Sequence, residues 1–258
     1  RIENVPAKMG TSSATTSLGG LTYCNNCGTG EIWAVTGVGR NGYNNNNLDA
    51  LTGGLIFRYV IASSSWATSE RTTPAPDTVT YGGALAYPGT GNLLYALRGG
   101  STAFWDYDTT TNEWNGYTRG KLDNGTPISQ KGTSAQGAGN AITQAGGKFY
   151  ILLGNSTTFE SYDPNTNTWD TLPVTPATVS DGAAITSTDS STLYILRGGT
   201  SNTTNNFWKY NTTKGEWTTL TSTPTAVGAG GAITYPGSGD FLYVFKGNNT
   251  TTFWKYQI

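Results

Sequence analysis

Three observations predict an all-β chain, a single five-bladed β-propeller of four-stranded antiparallel blades spanning residues 1–258. First, the string FWDYDTTTNEW (104–114) returns as FWKYNTTKGEW (207–217), and looser copies stand at 56–66, 159–169 and 253–258. Second, the tyrosines of these copies, Tyr59, Tyr107, Tyr162, Tyr210 and Tyr256, lie 46 to 55 residues apart, a period typical of propeller blades. Third, two short strand-like runs, joined by a Gly-, Pro-, Ser- or Asp-containing turn, precede every copy.

Each repeat reads as four strands, a to d. Strand a is small and Gly-rich: GGLTY, GGALAY, GNAIT, GAAIT and GGAIT. Glycine lets backbones approach closely, which suits the crowded centre of a propeller. Strand b is apolar: IWAV (32–35), LYAL (94–97), FYIL (149–152), LYIL (193–196) and LYVF (242–245). A glycine follows each at the second position on, namely Gly37, Gly99, Gly154, Gly198 and Gly247. Strand c carries the tyrosine. Strand d carries a tryptophan seven residues later, at Trp66, Trp114, Trp169 and Trp217. Recurrence of an aromatic at one position of every blade points to packing plates between blades rather than to a ligand platform. The blades run roughly over 18–80, 81–136, 137–180, 181–228 and 229–258, the last with 1–17 added.

The double glycine after strand b, the tyrosine, and the tryptophan after a short polar turn together resemble the kelch repeat. LRGG at 97–100 and 196–199 matches that signature, whereas GN at 154–155 and 247–248 and GV at 37–38 depart from it. The resemblance implies a divergent kelch-type propeller over nearly the whole chain. It also implies closure by an N-terminal strand completing the last blade. The fifth repeat stops at FWKYQI, before a strand d, and IENVP (2–6) resembles the strand-d stretch WDTLP (169–173). The expected closure residues are Ile2 and Val5 against Phe253, Trp254, Tyr256 and Ile258. An open edge there would be a pairing hazard. The partner strand comes from the same chain or, by strand addition, from the next copy, and a head-to-tail join that does not close builds a filament.

Composition narrows the function. Charged residues are 12% of the chain, net charge is −1, and the 15 Lys+Arg are scattered, so a nucleic-acid partner is not expected. No apolar run approaches the roughly 18 residues of a membrane helix, so no membrane insertion is expected. The chain begins at Arg1 and its one methionine is Met9, which suggests a processed end behind a removed leader. Histidine is absent, which removes the commonest general base and metal ligand. The copper centre of kelch-like oxidases needs histidines. The paired acids Asp106 and Asp108 are a weak glycosidase signal. No enzyme, cofactor or metal is expected.

Cys24 and Cys27 form CNNC at the a–b turn of blade one. Two ligands do not make a zinc site, and a redox motif would need a following helix, so a disulfide across the turn is expected, and with it an oxidising compartment. Sequons at Asn124, Asn155, Asn202, Asn211, Asn248 and Asn249 are candidate glycosylation sites. The longest insertions, 37–54, 118–138 and 199–206, all fall in b–c or d–a loops, which share one face. That face is the candidate ligand surface. Arg40, Tyr43, Asn44, Asn45, Asn46 and Asn47 lie on its first loop, and Arg98, Arg197 and Lys246 recur at the end of strand b. The reading that follows is a secreted or cell-surface structural or adhesive propeller. Its partners are further copies of itself or an extracellular glycan or protein. A lectin-like, glycan-binding propeller is the alternative.

Overall fold

The computed structural model describes residues 18–28, 30–36, 56–67, 75–76, 79, 82–99, 103–114, 138–199 and 204–258. The chain divides into two compact units, Arg1–Ser134 and Ala135–Ile258. Every regular element among the described residues is a strand.

Unit 1 holds two antiparallel meanders. Blade one runs β1 (Leu18–Cys24), β2 (Glu31–Thr36), β3 (Ile56–Val60) and β4 (Ser65–Trp66). Blade two runs β5 (Ala84–Ala86), β6 (Leu93–Leu97), β7 (Phe104–Asp108) and β8 (Glu113–Trp114). Unit 2 holds three. Blade three is β9 (Ala141–Ala145), β10 (Lys148–Leu152), β11 (Phe159–Asp163) and β12 (Thr168–Thr171). Blade four is β13 (Ala184–Ser187), β14 (Thr192–Leu196), β15 (Phe207–Asn211) and β16 (Glu216–Thr219). Blade five contributes β17 (Ala232–Thr234), β18 (Phe241–Phe245) and β19 (Phe253–Gln257), three strands among the described residues. The five repeats are thus five propeller blades, each wound from strand a outwards, as the sequence predicts.

The register explains the spacing of seven between tyrosine and tryptophan. Tyr59, Tyr107, Tyr162 and Tyr210 stand directly opposite Trp66, Trp114, Trp169 and Trp217 across the c–d hairpin. Their ring centroids are 4.7 to 5.3 Å apart. Directly paired aromatics are the strongest cross-strand unit of a sheet. The turn between them is set by side chains. Asp108 Oδ1 accepts from the Thr110 N–H at 2.7 Å, Asp163 Oδ1 from Asn165 at 2.9 Å, and Asn211 Oδ1 from Lys214 at 2.8 Å. A left-handed residue closes each turn: Ser64, Asn112, Asn167 and Gly215.

Blades pack strand a against strand a, and glycine makes the approach possible. A Cβ on Gly20 of β1 would collide with the backbone of Ala84 and Leu85 in the next blade. One on Gly182 would collide with Gly228, and one on Gly231 with the Gly182 carbonyl. The small residues of strand a are therefore the contact surface between successive blades.

Alternation gives each sheet two faces, and within a unit one of them, the front, lies toward the following blade. In unit 2, Tyr150, Leu152 and Phe159 form the front of blade three and are buried under Tyr210 and Trp208 of blade four. Phe159 meets Tyr210 edge-on at 5.0 Å and Trp217 at 5.2 Å. The front of blade four, Tyr194, Leu196 and Phe207, is buried in the same way against blade five, with Tyr256 edge-on to Phe207 at 4.9 Å. In unit 1 the same contact is made by Trp33 of blade one and Tyr107 of blade two, 5.7 Å apart. Tyr107, Tyr210, Trp217 and Tyr256 are thus blade-packing plates within their units, and a fully buried ring is worth about 2–3 kcal/mol of apolar transfer.

Candidate functional site

The candidate ligand residues of the described strands sit at the ends of the b strands. Backbone N–H groups of Arg98, Leu153, Arg197 and Lys246 donate across the b–c loops to the carbonyls of Ala103, Thr158, Asn206 and Thr252, at 3.1 to 3.3 Å. The d–a linkers are then fastened to the same strand ends. The Arg197 carbonyl accepts from Ser180 at 3.1 Å, and that of Lys246 from Gly228 at 3.0 Å.

Arg197 is held between the linker that enters its blade and its own b–c loop. Its Nε donates to the Thr178 carbonyl at 3.0 Å and its Nη1 to Asn206 Oδ1 at 2.9 Å. The guanidinium thereby clamps the d–a linker to the b–c loop. Lys246 takes the corresponding place in blade five and is partly exposed, as Arg98 is in unit 1. Arg40, Tyr43 and Asn44 to Asn47 lie outside the described residues, as do Ile2 and Val5 of the expected closing strand.

Sequence reading missed the anchors of the d–a linkers. Thr175 and Thr223 donate through Oγ1 to the carbonyls of Ala177 and Thr225, at 2.9 and 2.8 Å. Their backbone N–H groups donate to Thr157 and Asn205 in the b–c loops, both at 2.9 Å. Val179 and Val227 follow, both fully buried. The signal was present as Thr-Pro-x-x-Val at 175–179 and 223–227, obscured by the aromatic repeat. Also unforeseen is the partly buried pair in blade one, where Arg58 Nη1 lies 2.9 Å from Glu31 Oε1. Arg58 and Glu31 face each other beside Trp33, whose ring centroid is 6.0 Å from the guanidinium carbon.

Cys24 and Cys27 are joined in a disulfide with Cα atoms 5.4 Å apart, as expected. Both are buried at the boundary with blade two, and Cys27 Sγ lies 3.5 Å from Thr109 Oγ1. Of the sequons, Asn155 and Asn248 occupy one repeat position, where blade four has Gly199. Both are left-handed, at φ 56° and 54°, and both are exposed, as is Asn249. Asn211 ends a strand with its amide oxygen engaged in the c–d turn. Asn124 and Asn202 lie outside the described residues.

Among the described residues no group of three or more His, Cys, Asp and Glu is placed to hold a metal ion. No helix there is long and apolar enough to cross a membrane.

The expected closure site is the edge of blade five. Trp254 and Tyr256 are half-buried against blade four, while Phe253 and Ile258 are exposed. Tyr256 stands where its four counterparts meet a tryptophan, and among the described residues no strand pairs with the outer side of β19. The repeats and blades define a propeller-repeat protein. Compared with protein families and with curated proteins, the chain matches no family model and no curated sequence.

Proposed function

We propose that this protein is a non-enzymatic, extracellular structural or adhesive module of divergent kelch type that assembles by strand complementation. The observation that carries the reading is the outer edge of β19. Among the described residues no strand pairs with its outer backbone, and Tyr256 holds the position that a strand-d tryptophan faces in the other blades. The segment IENVP at 2–6 has the length and the pattern of the strand-d stretch WDTLP, and it supplies that strand from the neighbouring copy. Repetition of the join extends a filament or surface layer. The Cys24–Cys27 disulfide and the exposed sequons Asn155, Asn248 and Asn249 suit an oxidising exterior.

Deletion of residues 1–17 tests the reading. The truncated protein is expected to lose higher assemblies in sedimentation and to show no filaments or lattice by electron microscopy. Unchanged assembly and stability of the truncated chain would overturn the role of the arm.

A further inference from the structure

The left-handed asparagines of the described residues fall into two groups. Asn112 and Asn167 sit in c–d turns, and each accepts a hydrogen bond from the tyrosine of its own strand c, at 3.3 and 3.1 Å. Neither begins a sequon. Asn155, Asn248 and Asn249 sit in the b–c loops of blades three and five, at φ 56°, 54° and 54°. All three begin a sequon: Asn-Ser-Thr at 155–157, Asn-Asn-Thr at 248–250 and Asn-Thr-Thr at 249–251. The backbone requirement is the same in both groups, and asparagine tolerates it better than most residues. Conformation alone therefore does not account for the second group.

The side chains separate the groups further. Asn155, Asn248 and Asn249 are all exposed. Asn155 Oδ1 accepts from the Ser180 hydroxyl at 3.3 Å, and its Nδ2 has no partner among the described residues. The side-chain amides of Asn248 and Asn249 have none at either end. The backbone beneath them is anchored. The N–H of Asn155 donates to the Val179 carbonyl at 2.8 Å, and that of Asn248 to the Ala229 carbonyl at 2.7 Å. These amide nitrogens thus stand on fixed loops, and nothing in the fold uses them. Asn211 is the contrast. Its Oδ1 accepts from the N–H groups of Thr213 and Lys214 at 3.0 and 2.8 Å, and Asp108 and Asp163 do the same work in blades two and three. The turn alone accounts for that residue.

We infer that Asn155 and one member of the Asn248–Asn249 pair carry N-linked glycans, and that Asn211 does not. This rests on the extracellular reading and names a modification that it entails. In the transfer, Nδ2 forms a bond to C1 of a sugar carried as a lipid pyrophosphate. The C1–O bond breaks, the pyrophosphate leaves with the electron pair, and the nitrogen gives up one proton to a base of the transferase. Residues 248 and 249 are adjacent, so one bulky group excludes a second. The b–c ends of blades three and five then present carbohydrate to solvent.

Glycopeptide mapping by mass spectrometry, on full-length protein recovered from its own cells, tests the assignment. The peptides holding Asn155 and 248–249 are each expected to carry one glycan, and the peptide holding Asn211 to be bare. The repeat itself supplies substitutions that spare the fold. N155G and N248G/N249G follow Gly199 of blade four, a residue free to adopt positive φ, and N211D follows Asp163. N155G and N248G/N249G should each lower the intact mass by one glycan and N211D by none, all with wild-type circular dichroism. Secreted protein that is bare at 155 and at 248–249 overturns the inference and leaves the extracellular reading standing. Bare protein confined to the cytosol overturns both. A glycan on Asn211 overturns the choice among the sequons.

Discussion

Tyr210 on β15 and Trp217 on β16 face each other with ring centroids 4.7 Å apart, and both close over Phe159 of the preceding blade. One cross-strand pair therefore does two things. It holds the c–d hairpin of its own blade, and it forms the cover of its neighbour. The heavily aromatic repeat follows from this double use.

The hydroxyl of that tyrosine separates the blades. Tyr162 donates to Asn167 Oδ1 at 3.1 Å, whereas in blade four Gly215 takes the place of that asparagine. Tyr162→Phe is expected to cost about 1 kcal/mol, the worth of one hydrogen bond, and Tyr210→Phe near zero. Tyr210→Ala should cost about 3–5 kcal/mol, because it empties a buried site against Phe159. Chemical denaturation of the three variants checks the order. Equal losses for the two phenylalanine variants would refute the role given to the turn asparagine.

Glycines in one conformation but different surroundings should differ in tolerance. Gly182 and Gly237 are both left-handed, at φ 81° and 88°. A Cβ on Gly237 meets nothing within 4 Å, while one on Gly182 meets the Gly228 backbone. Gly237→Ala should cost about 1–2 kcal/mol of backbone strain. Gly182→Ala should cost about 3 kcal/mol or more, because overpacking adds to the strain. Matching melting temperatures would mean that strand a does not set the blade spacing.

The disulfide closes a loop of only four residues, 24–27, which limits its entropic contribution to about 2 kcal/mol. Replacing both cysteines by serine should lower stability by that amount and leave the other blades folded. Both sulfurs are buried, and Thr109 and Tyr87 of blade two lie in the surroundings of this turn, so the loss should appear in unit 1. Hydrogen exchange checks this. Protection lost equally in β9 to β19 would contradict a local role.

The blades were legible because their cause is local and repeated: a tyrosine and tryptophan seven apart, an apolar strand before them, and a glycine where two backbones touch. The disulfide was legible because no histidine and no helix competed for CNNC. What was not legible depends on long-range neighbours. That Arg197 is tied to Thr178 and Asn206 follows from how two loops fold over one strand end, and strand-end position alone made it resemble a free cation. The partly buried pair of Glu31 and Arg58 escaped because 27 residues and a long insertion separate its members. The exposure of Phe253 escaped for the opposite reason, since FWKYQI reads like the copies in which that position is buried.

Alkaline pH tests the aromatic interior as a whole. Burial raises Tyr194 above its ordinary value, and the nearness of Tyr256 and Asp189 adds to this; burial, with Tyr150 nearby, raises Tyr210. Tyr87 is raised by burial in spite of a hydrogen bond with Asn26. A raised folded value means that the unfolded chain loses these protons first. The contribution to stability is therefore complete below about pH 10 and is lost as pH climbs from there through the folded values. Unfolding followed by circular dichroism should accordingly show a steep loss of stability above that pH. Tyr194→Phe removes one of the responsible protons and should shift the alkaline midpoint upward. An unmoved midpoint, with all 15 tyrosines ionising together in a spectrophotometric titration, would show that these rings are not held apart from water in the folded blades.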